Sequence, residues 1–154
     1  MKSISKLTAV LFAACAFSVP YGSAFAHDDA AMDTMKAPNG GQLRMAGIYH
    51  YELVLVKNLK GATENTVLVF VTDHAGAKVV TTGATGTATL LAGKLKSSVK
   101  LMPDGDNRLK GIGVYSSTSD LKAIVAITMP GKQPEQARFT PMSTIKDEQA
   151  DHKH

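Results

Sequence analysis

From Lys94 to Leu101 the chain alternates without a break: Leu95, Ser97, Val99 and Leu101 fall on one side, Lys94, Lys96, Ser98 and Lys100 on the other. A period of two belongs to an extended strand, whose successive side chains point to opposite faces, so one face enters a core and the other meets water. Pro103-Asp104-Gly105-Asp106-Asn107 follows, and its Asp-Gly pair tolerates the positive φ of a hairpin turn. Residues 108–115 are therefore expected to return as the partner strand.

The rest of the chain repeats that grammar. Residues 49–57 (YHYELVLVK), 67–73 (VLVFVTD) and 121–129 (LKAIVAITM) are dense in β-branched and apolar residues and bounded by turn formers. A short strand is expected at 136–140, and weaker candidates lie at 42–45, 78–82 and 87–91. No amphipathic helix competes with them. The expected fold is all-β, an antiparallel immunoglobulin-like sandwich of about seven to nine short strands, with a closed barrel as the main alternative.

The amino terminus reads as an address rather than as structure. Lys2 and Lys6 precede the apolar run 7–17 (LTAVLFAACAF), and Ala24-Phe25-Ala26 offers small residues where a signal peptidase needs them. Residues 1–26 are thus expected to be a secretory signal peptide that directs the chain to the periplasm and leaves His27 as the new amino terminus. A lipoprotein signal acylated at Cys15 is the minor alternative. The apolar run is about half the ~20 residues that span a bilayer, and no later segment comes near that length, so no membrane span is expected.

Removing the leader from 154 residues leaves one domain of ordinary size, with a flexible stretch at 27–39, the β domain at 40–142 and a disordered polar tail at 143–154. Lys2 and Lys6 leave with the leader, so 17 basic residues fall to 15 against 13 acidic ones. That near balance, with lysines scattered and no aromatic residues interleaved, argues against nucleic acid. Cys15 is the sole cysteine, so the mature chain is expected to lack the thiols needed for cysteine catalysis, iron–sulfur clusters or thiolate zinc sites.

The residues left to carry chemistry are nitrogen, oxygen and thioether ligands. After cleavage His27 offers an α-amine and an imidazole, and Met32 and Met35 add soft sulfurs that favour Cu(I) or Ag(I) over zinc. His50 and Glu52 lie two apart on a strand and project from the same face, where they can share a metal or simply meet solvent. His74 falls where a turn is expected to display it without purpose. His152 and His154 give the tail two imidazoles that can hold a divalent ion loosely. There is no Gly-x-Ser-x-Gly elbow and no His-Glu-x-x-His, so the chain is not expected to be an enzyme.

The stretch Ala37-Pro38-Asn39-Gly40-Gly41-Gln42-Leu43-Arg44-Met45-Ala46-Gly47-Ile48-Tyr49-His50-Tyr51-Glu52-Leu53-Val54 resembles a Pro-Asn/His-Gly-Gly segment followed by a Tyr-His-x-Glu-Leu strand. That pattern is found in small exported bacterial proteins of largely uncharacterised function, and it is similar to a segment in periplasmic adaptor subunits of heavy-metal efflux pumps. The resemblance spans roughly 37–142 and implies a metal-resistance setting, without supplying a ligand set. The expectation is a periplasmic accessory protein that binds or delivers copper or silver before zinc, in support of efflux or tolerance. The rival is a metal-free module that docks on an efflux adaptor or another envelope protein.

Overall fold

A computed structural model describes residues 31–58 and 60–143. The expected leader and most of the polar tail, with His27, His152 and His154, lie outside the described residues. Eight strands follow in order: β1 (Gln42–Ala46), β2 (Tyr49–Leu55), β3 (Thr63–Asp73), β4 (Thr85–Ala92), β5 (Leu95–Pro103), β6 (Arg108–Tyr115), β7 (Lys122–Thr128) and β8 (Pro134–Phe139). The chain is all-β and antiparallel, as its patterning requires.

The strands are ordered β1-β2-β3-β6-β5-β4-β7-β8. Two four-stranded halves, β1-β2-β3-β6 and β5-β4-β7-β8, face each other across the core as a sandwich, and β4, β5, β6 and β7 form a Greek key. Within that class one detail is particular to this chain: β2 and β3 hydrogen-bond side by side, where an immunoglobulin domain sends its second and third strands to opposite sheets.

The two halves also nearly close into a barrel. At one side β5 and β6 pair only through Met102 with Lys110 and Pro103 with Leu109. The backbones approach closely there because β6 turns Gly111 and Gly113 inward, and a Cβ on Gly113 would collide with the Val99 side chain. At the other side Gln42 clasps the end of β8, its Oε1 accepting from the Thr140 amide at 2.8 Å.

The core between the halves is built from the alternate residues that the patterning marks. Tyr51, Leu53, Val67, Val69 and Val71 fill it from one half, Val99, Leu101, Val125 and Ile127 from the other. The alternation holds in the second half of β5, with Val99 and Leu101 buried and Ser98 and Lys100 outside, whereas Leu95, expected on the core face, is 38 % exposed at the start of the strand. The Asp-Gly turn is present: the Asp104 amide donates to the Arg108 carbonyl at 2.8 Å, and Gly105 has a φ of 101°.

The strand expected at 78–82 does not form. After one bridge between Thr72 and Lys78, this segment becomes the crossover from β3 to β4. Thr81 is its anchor, fully buried: its amide donates to the Asp106 carbonyl at 2.9 Å, and its single hydroxyl proton lies between the carbonyls of Arg108 at 3.1 Å and Asp106 at 3.3 Å. The segment thus runs from β3, where the Val79 amide donates to the Val71 carbonyl at 3.1 Å, to the β5–β6 turn, where Thr81 holds it.

Candidate functional site

The outer face of the β1-β2-β3 meander gathers the candidate ligands. Alternation in β2 turns Tyr49, Tyr51 and Leu53 inward, which leaves His50 and Glu52 outward. The two meet different surroundings.

Glu52 is 3 % exposed although it leaves the core side of its strand, because the segment before β1 folds back over it. Its Oε1 accepts from the backbone amides of Asn39 at 2.8 Å and Gly41 at 3.0 Å, and its Oε2 accepts from Asn39 Nδ2 at 2.8 Å. Gly41 permits the approach, since a Cβ there would run into the Leu53 carbonyl. The solvent-facing placement considered for this carboxylate is therefore corrected. It staples the Pro38-Asn39-Gly40-Gly41 segment to β2, so the two halves of the sequence pattern are one structural unit. A metal at Glu52 would have to displace three N–H donors.

His50 is half-buried and has two neighbours that alternation in β2 alone does not reveal. Across the β1–β2 hairpin it stands directly opposite Met45, which faces the same way. On the other side it pairs with Thr72, and the turn just beyond carries His74. The two imidazoles stack with centroids 4.8 Å apart and planes 14° from parallel. Asp73 shapes that turn, its Oδ1 accepting from the amides of Ala75 at 2.9 Å and Ala77 at 2.8 Å, which displays His74 as an exposed side chain.

Met45, His50 and His74 thus bring one thioether and two imidazoles to one patch. Burial, and then the neighbouring His74, hold His50 below the ordinary value of 6.5, while Asp73 pulls the other way. A neutral imidazole is the metal-binding form, so the depression favours ligation in mildly acidic water. Parallel rings carry their lone pairs in parallel planes, and His74 must rotate before two nitrogens converge on one ion. Among the described residues no three His, Cys, Asp or Glu side chains form a ready metal cluster.

Met32 and Met35 lie elsewhere, in a helical turn at 31–33 and just past it. Met32 is buried to 8 % exposure and Met35 is 55 % exposed, and both line a hollow of about 150 Å³ with Asp33, Gln42 and Thr140. Asp33 also pairs with buried Arg44 at 2.6 Å. Met32 therefore has a packing role at the β1/β8 seam. Gln42 is three residues along β1 from Met45, about 10 Å at strand spacing, so the two methionine positions are separate.

One core group stands without a partner among the described residues: the Tyr51 hydroxyl is buried and makes no hydrogen bond. Burial raises its pKa far above the usual phenol range, with Glu135 and then Tyr49 adding to the effect. It stays a neutral phenol and gives the site no base.

Two of the residues at this patch were missed as ligands in the sequence, for different reasons. Met45 was accessible: Gly47-Ile48 is a two-residue turn with glycine first, which fixes Ala46 opposite Tyr49 and Met45 opposite His50. His74 depends on the register of β2 against β3, set by a longer loop. Comparison with protein-family models, curated proteins and solved structures finds no match.

Proposed function

We propose that this is a non-enzymatic, exported metal-binding or metal-delivery protein of the periplasm. Its cargo is copper or silver before zinc, and it works in support of heavy-metal efflux or tolerance, with an efflux adaptor or other envelope protein as partner. The observation that supports this reading is the meeting of Met45, His50 and His74 on one outer face. A thioether beside two imidazoles suits a soft monovalent ion, whereas zinc prefers nitrogen, oxygen and thiolate. The exposed position of His74 suits a carrier, which must release its ion as well as hold it. His27, Met32 and Met35 would form a second, amino-terminal set, with His152 and His154 as loose collectors.

The test is a competition titration of the full mature chain with a chromophoric Cu(I) chelator, repeated for Zn(II). An equivalent of Cu(I) whose affinity falls about a hundredfold on replacing His50 and His74 by alanine supports the proposal, and an equivalent that survives the replacement belongs to the amino-terminal set. Met45→Leu should weaken Cu(I) about tenfold and leave Zn(II) unchanged, since the thioether discriminates between them. A wild-type chain that takes up neither ion at modest excess overturns it.

The docking module remains as a second reading because the opposite half of the sandwich carries an unusual face.

A further inference from the structure

The strands β5-β4-β7-β8 turn cations, hydroxyls and a few apolar side chains outward, and among the described residues no acid. Alternation sends Lys96 and Lys100 of β5, Leu91 of β4, Lys122 and Ile124 of β7 and Arg138 of β8 outward. Among the described residues these four strands turn no carboxylate to that face, since Glu135 of β8 shares the inward side with Ala137 and Phe139. Register sets the pattern: Lys96 and Lys122 flank Leu91 in one row, and Arg138 stands beside Ile124 in the next.

Leu91 and Ile124 are 41 % and 40 % exposed and form the floor of a hollow of about 540 Å³. A second hollow of about 500 Å³, lined by Thr85, Thr87, Ser98 and Lys100, continues along the same face. Together they follow β4 from Thr85 to Leu91, about 20 Å at strand rise.

We propose that this face binds an extended acidic segment of a partner protein. Its carboxylates would sit on Lys96, Lys122 and Arg138, and an apolar side chain between them on Leu91 and Ile124. Charge complementarity selects the occupant. Asp120, at the rim of the sheet, offsets part of the charge of Lys122, while Lys96 and Arg138 keep the face cationic, so a ligand carrying several anions relieves the remaining repulsion. Lys96 and Lys122 are two strands apart, about 10 Å, so a single-headed amphiphile reaches one of them while a peptide with spaced carboxylates reaches all three. The length of the paired hollows also fits a stretched chain. Strand addition at the β1/β8 seam is opposed by the Gln42 clasp on Thr140.

The experiment is fluorescence anisotropy of a short labelled peptide of alternating glutamate and leucine, titrated with the full mature chain. A matched peptide with glutamine for glutamate, and anionic vesicles of phosphatidylglycerol, are run beside it. Saturable binding of the glutamate peptide supports the proposal if it weakens as salt rises and by about tenfold in the triple variant Lys96→Gln, Lys122→Gln and Arg138→Gln, the scale of three exposed ion pairs. Ile124→Ser should weaken it further, with circular dichroism showing that both variants keep the fold. No binding, equal binding of the glutamine peptide, an unaffected triple variant, or binding to the vesicles alone would each overturn it.

Discussion

The two outer faces of this sandwich are made from the same alternation and have become different surfaces. On the β1-β2-β3 side the outward residues are engaged: Glu52 is tied to Asn39 and Gly41, and His50 lies against His74. On the β5-β4-β7-β8 side the outward lysines and arginine stand over exposed Leu91 and Ile124, and among the described residues these strands turn no carboxylate outward. The difference teaches that strand periodicity assigns a residue to a face, while chain segments outside the strand decide whether that face is covered or open. Residues 37–41 cover Glu52 on one side, and among the described residues no charged side chain on the other outer face is buried in this way.

Substitutions separate these roles. The largest effect is expected on metal binding: replacing both His50 and His74 by alanine should lower Cu(I) affinity about a hundredfold, by analogy with the loss of two imidazole ligands. The triple glutamine variant of Lys96, Lys122 and Arg138 should leave it unchanged. If the cationic face also governs Cu(I) affinity in chelator competition, the two faces are not independent.

Stability gives the next contrast. Glu52→Ala leaves two backbone amides without their acceptor and should cost about 2–4 kcal/mol in urea unfolding. Lys122→Ala, on the open face, should stay within about 0.5 kcal/mol. Equal effects at the two positions would erase the distinction between a covered face and an open one.

Tyr51→Phe reaches the core beneath the covered face. It removes a buried hydroxyl that has no partner, so stability should be unchanged or rise by about 1 kcal/mol, read from the same unfolding curves. A loss of similar size would show that the hydroxyl is satisfied in solution.

The smallest expected effect is on pH dependence. The pKa of His50 in the fold lies below its ordinary value of 6.5, so between the two values the unfolded chain binds more protons. The stabilisation from neutral His50 is complete above 6.5 and is lost as pH falls through the folded value. Thermal unfolding followed from neutral to mildly acidic pH should show this decline, and His50→Ala should make it shallower. An unchanged slope would mean that the burial of His50, and with it the contact with His74, does not persist in solution.

By itself the sequence determined the all-β class, the two-faced character of the second half of β5, the Asp-Gly turn before β6 and the outward direction of His50 and Glu52. These are local matters: side-chain direction in a strand repeats every two residues, and a turn depends on a few φ values. The partners of those residues were decided by tertiary structure. The burial of Glu52 required residues 37–41 to fold back, the contact of His50 with His74 required the β2–β3 register, and the path of 78–82 as a crossover goes with the amide and hydroxyl of Thr81 binding carbonyls 25 and 27 residues away. A pattern of period two carries no information about which distant segment will arrive, because register and loop path are fixed when the two halves pack around a common core.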